Sequence, residues 1–240
     1  MKYMASIKYD GSKFHGFQRL NNEKTVQKEL EKALTIINKK DTLIKGAGRT
    51  DRGVHAYNQI IHFKLQFNIP PQRLKNAINS IIDKSIYINY CKEVDDTFHS
   101  RFNTKTKTYE YLINLGLYDP IKKDYILNYN KNLNISKMKK ASKYLIGSYS
   151  YQAFVSGFRN NYDSSIYYIS IKKKKDLLTI KFIGKTFYNH MVRNLVGALL
   201  LVGENKIEPH DVQEMLLKEE NIYHYSTVPA CGLYLLNIRY

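Results

Sequence analysis

At 240 residues the chain can bury a sizeable core as one large domain or two small ones. An apolar content of 43% and 21 tyrosines exclude a mainly disordered protein. The balance of 38 Lys and Arg against 21 Asp and Glu gives a net charge of +17, which suits a polyanionic partner, nucleic acid ahead of a membrane surface.

Lys, Asn, Ile and Tyr all have AT-rich codons, so part of that charge can be compositional bias. The longest clean apolar run, in NLVGALLLVG, is too short to span a bilayer, and MKYMASIKYDG has no signal-peptide core, so a soluble cytoplasmic protein is expected. Cys91 and Cys231 form no CxxC, and no cluster has metal-ligand spacing. There is no Walker loop and no GxGxxG. The chemistry is therefore expected from side chains, without metal or cofactor.

In chain order, YMASIKYD reads as a strand and DGSKFHGFQ breaks it. Thr25 caps a helix over VQKELEKALTIIN, with Val26, Leu30, Ala33, Leu34 and Ile37 as its apolar stripe. HAYNQIIHFKLQF is the next strand. Pro70 and Pro71 open a short helix with Leu74, Ile78 and Ile81 on one face, and KSIYINYCKEV returns as a strand. TYEYLINLGLY begins a second series. Asn134 caps ISKMKKASKYLIG, whose Ile135, Met138, Ala141 and Leu145 share a face and which Gly147 closes. IYYISIKKKKDLLTIKFIG is a hairpin with its lysines near the turn. FYNHMVRNLVGALLLVG is an apolar helix ending at Gly203, PHDVQEMLLKEE a shorter amphipathic one, and GLYLLNIRY a closing strand. The economical organisation is two α+β halves, residues 1–104 and 105–240.

Asp51 is the leading candidate for chemistry. In the extended stretch GAGRTDRGVHA, Arg49 and Asp51 point to the same side, and a cation so close lowers a carboxylate pKa and keeps it ionised. Gly46, Gly48 and Gly53 leave the backbone open to a ligand. The competing reading is an ordinary surface Arg–Asp pair. Only eight of the 38 basic residues are Arg, so Arg49, Arg52, Arg101 and Arg193 mark places where a planar fork is useful, for a carboxylate or a phosphate. Arg193, opening an apolar helix in HMVRN, is either snorkelling to solvent or paired inside. Tyr109 and Tyr111 are expected on opposite faces of their strand, as core residues rather than base-stacking ones.

Taken together, YDGSKFHGFQ, TVQKELEKAL, GAGRTDRGVHA, FHSRFNTKTKTYEYLI, FYNHMVRNLVGALLLVG and VPACGLYL occur in an order and spacing that resembles the tRNA pseudouridine synthase A (TruA) family. The resemblance runs from the first strand to the last. It implies an α+β pseudouridine synthase fold, in which two ferredoxin- or RRM-like halves join into one central, mainly antiparallel mixed sheet flanked by helices. The first half would carry the Asp motif, and the second the Tyr and HMVRN motifs.

The resemblance further implies that Asp51 is the catalytic aspartate, that Tyr109 packs on the target base, that Arg193 pairs with the carboxylate and that Arg49 helps position RNA. Arg52, Arg101 and His55 join the expected substrate-binding set. The implied substrate is uridine at positions 38, 39 and 40 of the tRNA anticodon arm, and the implied enzyme is a homodimer without cofactor. Leu20, where relatives often carry Gln, and Ser164, near a place where many carry Arg, depart from the pattern and touch RNA contacts rather than the reaction. The alternative class is a non-catalytic, RRM-like RNA-binding protein, which accounts for charge and tyrosines but not for a carboxylate presented among arginines.

Overall fold

The computed structural model describes Met1–Tyr240 throughout. Alternating apolar residues build strand β1 (Lys2–Tyr9), which buries Tyr3, Ala5, Ile7 and Tyr9. Helix α1 (Val26–Asn38) begins where the Thr25 hydroxyl accepts the Lys28 N–H, and it buries Val26, Leu30, Ala33 and Leu34. Strands β2 (Lys45–Gly46) and β3 (His55–Lys64) bracket the loop that carries Asp51. Helix α2 (Pro71–Ile81) starts at the proline pair and buries Leu74 and Ile78. Ile81, expected on the same face, is exposed; the chain turns extended at Ile82, whose side chain fills the core instead.

Strands β4 (Ile86–Glu93), β5 (Thr106–Asn114) and β6 (Leu127–Asn128) follow. Asn134 caps helix α3 (Ile135–Tyr144) by accepting the Lys137 N–H. Gly147 does not close that helix: it opens strand β7 (Gly147–Ser150), where its φ of 144° is one that a side chain would strain. Strands β8 (Asp163–Lys174) and β9 (Leu177–Gly184) form the expected hairpin, with Lys175 left-handed in the turn. Helices α4 (Met191–Gly203) and α5 (Asp211–Lys218) precede strand β10 (Leu233–Arg239). Tyr109 and Tyr111 lie on the same, buried face of β5, as residues two apart on a strand must.

The chain divides into two compact units, Met1–Lys105 with Tyr234–Tyr240, and Thr106–Leu233. In the first, the strand order is β4, β1, β3, β10. β1 is antiparallel to both neighbours, and β10 runs parallel to β3 with Tyr234 opposite His55. Helix α2 packs on β4 and on α1. In the second, β5, β9, β8 and β7 pair antiparallel in that order, β6 adds parallel to β5, and α3 packs on α4 and β8. Mainly antiparallel strands with helices packed on them give the α+β class expected from the sequence. No helix is long and apolar enough to cross a membrane.

Candidate active site

The Asp51 loop is short and held along its length. At its start, the Ala47 N–H donates to the Ile60 carbonyl (2.8 Å) and the Gln59 side-chain amide donates to the Gly48 carbonyl (2.8 Å). At its centre, the Phe17 N–H donates to the Thr50 carbonyl (3.0 Å), and the Thr50 hydroxyl lies 2.8 Å from the Tyr9 hydroxyl, both groups buried. Burial pushes the Tyr9 phenol pKa up, against the effect of its hydrogen bonds to Thr50 and Gln59, so it stays protonated. A turn closes the loop through the Val54 N–H and the Asp51 carbonyl (3.2 Å), with Gly53 at φ 82°. Asp51 itself is half-buried between the buried Thr50 and the exposed Arg52.

Two glycines of DGSKFHGFQ explain that segment. A Cβ on Gly11 would stand 2.0 Å from the Val54 carbonyl oxygen, and one on Gly16 would stand 3.0 Å from that of Thr50. Gly16 also has φ 92°, a left-handed value. The first motif is therefore the backing plate of the aspartate loop. From its sequence alone DGSKFHGFQ reads as a strand breaker; the close approach is a tertiary contact that spacing does not reveal.

The remaining candidates in this unit separate by exposure. Arg49, Arg52 and Arg101 are exposed. His55, expected to touch substrate, is 3% exposed. Its Nδ1 accepts the Gly11 N–H (3.1 Å), and its ring stacks on Tyr234, which in turn stacks on Tyr57. Leu20 is exposed.

In the second unit, Tyr109 is buried on β5 and meets Phe187 edge-to-face at 5.2 Å. Arg193 sits in the first turn of α4, half-buried, and its Nε donates to the Val228 carbonyl at 2.7 Å. The Tyr111 hydroxyl donates to the next carbonyl, that of Pro229 (2.6 Å). Gly232 allows the same segment to approach β5, since a Cβ there would lie 2.6 Å from the Leu112 carbonyl oxygen. HMVRN and VPACGLYL are thus one structure within this unit, with Arg193 at their junction. Ser164 is buried and donates to the Thr186 carbonyl (2.5 Å), so this departure from the pattern is spent on an internal bond.

A family model described as tRNA pseudouridine synthase matches residues 5–103 and 141–240. The chain belongs to the tRNA pseudouridine synthase family. A tRNA pseudouridine synthase A of Listeria monocytogenes serotype 4a is 41% identical over 246 residues, covering 100% of this chain and 99% of the relative. Proteins of the same name from Thermoanaerobacter and Bacillus subtilis are each 36% identical, over 240 and 245 residues, with at least 98% of either chain covered. Members of this family are isomerases, so the resemblance seen in the six motifs is matched by whole-chain similarity. The non-catalytic RNA-binding alternative is not favoured.

Proposed function

We propose that the protein converts uridine to pseudouridine in the anticodon arm of tRNA, at positions 38, 39 and 40, acting in the cytoplasm as a homodimer without metal or cofactor. The observation that carries the proposal is the Asp51 loop: a half-buried carboxylate on a backbone braced by Gly11, Gly16, Phe17 and Gln59, among exposed arginines. Such bracing holds a catalytic group in one geometry before substrate arrives.

In the reaction the N1–C1′ bond breaks, the uracil turns, and C5 joins C1′; the proton lost from C5 is balanced by one gained at N1. Positive character builds at C1′ during cleavage, and an ionised carboxylate is the group to place there. In this proposal Asp51 fills that role, as nucleophile at C1′ or as base at the C2′ proton; both need the same ionised group at the same place. The family resemblance gives Arg193 the role of pairing with that carboxylate and Tyr109 that of packing on the base. The target must leave its stack, a cost offset by phosphate contacts from Arg49, Arg52 and Arg101 and by stacking. His55 enters as a support: its buried ring ties β3 to Gly11 and so to the loop.

The test is Asp51→Asn beside Asp51→Ala, assayed on purified tRNA by pseudouridine mapping. Both variants are expected to make no pseudouridine while binding tRNA within a few fold of wild type, because phosphate contacts lie elsewhere. Measurable turnover in either would remove Asp51 from the mechanism.

A further inference from the structure

Phe158 is 91% exposed, the barest large apolar side chain in the molecule. It stands on the loop between the short turn Gln152–Phe154 and strand β8, just after Gly157, whose φ of 83° turns the chain outward and whose Cβ position has nothing within 4 Å. Burying such a ring would stabilise the fold, so that gain is left unused.

The loop beneath this ring is braced. The Ser156 N–H donates to the Asn189 carbonyl (3.1 Å), and the Ser156 hydroxyl lies 3.0 Å from His190 Nδ1 and accepts from the Asn194 amide (3.4 Å). Across the loop, the Arg159 N–H donates to the Tyr162 hydroxyl (2.9 Å), and the Arg159 guanidinium lies over the Tyr188 ring at 4.7 Å. At its exit, the Tyr188 hydroxyl donates to the Asp163 carbonyl (2.6 Å). Entry, middle and exit are therefore all fastened to Tyr188–Asn194, the segment that carries Arg193. A polar cleft of about 550 Å³ lies beside Phe158, lined by Gln152, Asn160, Asn161, Asp163 and Glu219 among others. Amides and carboxylates read base edges and ribose hydroxyls rather than phosphates.

We propose that Phe158 is a stacking wedge for RNA: it occupies the gap left in the base stack when the target uridine swings out, while Arg159 and the cleft receive the neighbouring nucleotide. The inference rests on the reading that Arg193 belongs to the active site. The aromatic ring has the shape that a vacated stack accepts, the brace fixes it relative to Arg193, and a net charge of +17 favours a polyanion over an apolar protein partner. A wedge matters most where the target must be pulled from a pair and least where it is already unpaired.

The test uses two anticodon stem-loop RNAs, one with the target uridine paired in the stem and one with the opposing base mismatched, in single-turnover assays with Phe158→Ala, Phe158→Leu and Phe158→Trp. On the paired RNA, Ala and Leu are expected to slow pseudouridine formation roughly ten- to hundredfold and Trp to restore it to within about threefold, because base–aromatic stacking needs a flat ring. On the mismatched RNA all three should stay within about threefold of wild type. Wild-type rates for Phe158→Ala on the paired RNA, or equal losses on both RNAs, would overturn the wedge. Wild-type protein inactive on both RNAs would instead overturn the functional reading, and the wedge with it.

Discussion

Arg193 Nε donates to the Val228 carbonyl at 2.7 Å, joining the first turn of α4 to the segment that leads into β10. An arginine that anchors one edge of its guanidinium on the backbone keeps the rest of the fork in a fixed plane, which a lysine ammonium cannot do. Arg193→Lys is therefore expected to lower kcat on the order of a hundredfold, the scale of losing one oriented charge partner, while changing tRNA affinity by only a few fold. Single-turnover kinetics with a binding titration separate the two. A lysine variant with near wild-type turnover would mean that Arg193 acts by charge alone.

Gly11 touches the same loop that positions Asp51, and the neighbour it would strike is backbone, which cannot rotate aside. Gly11→Ala is expected to cost roughly 2 kcal/mol or more through overpacking. It should also lower turnover by about tenfold or more, because a displaced catalytic group loses its alignment. Gly16→Ala should do the same through its positive φ and its 3.0 Å approach to the Thr50 carbonyl oxygen. Urea unfolding and turnover on the same preparations check both effects. Unchanged stability in Gly11→Ala would show that the loop is not packed against it.

The long elements were legible because local signals agreed: Thr25 and Asn134 cap where a side-chain acceptor precedes an apolar stripe, and α4 is apolar until Gly203. The two-residue strands β2 and β6 have no periodicity to read. Ile81 misled because helical spacing says which face a residue takes but not where the helix stops. In the candidate site, Asp51 stood out through its glycines and arginines, whereas the role of Gly11 and Gly16 depends on a loop far along the chain. Phe158 gave no signal either, since exposure of a single aromatic is a property of the folded surface.

His62 offers a pH test of the first unit. It is buried, its Nδ1 accepts the Ser100 N–H (3.1 Å), and burial, with the nearby His99, Lys2 and Lys45, holds its pKa down at about 4. Protonating Nδ1 removes the acceptor that Ser100 uses. A folded pKa below the unfolded value of 6.5 means that the unfolded chain binds the proton more tightly. The stabilisation is thus complete above about pH 6.5 and is lost as pH falls through 4. Between pH 7 and 4.5 wild type is expected to lose on the order of 2 kcal/mol more than His62→Asn, whose amide oxygen can still accept but does not titrate. Chemical unfolding at a series of pH values measures this; parallel curves for the two proteins would show that His62 does not set the acid limb.

The last prediction concerns how the net charge of +17 is used. If exposed cations such as Arg49, Arg52 and Arg101 meet tRNA phosphates, each contact releases counterions, and affinity should fall on the order of a hundredfold or more between about 50 and 200 mM salt for about five or more contacts. Arg101→Ala should flatten the log–log slope by about one. Tyr109→Phe should leave the slope unchanged, because the buried ring still packs and no phosphate contact is lost, so any loss of turnover in that variant belongs to the hydroxyl. Sedimentation of the free protein, run beside the salt titration, tests whether a dimer doubles the charge presented to one tRNA. An affinity flat across this salt range, or a monomer that binds and modifies tRNA at the full rate, would sink the reading that the charge of two copies grips the substrate.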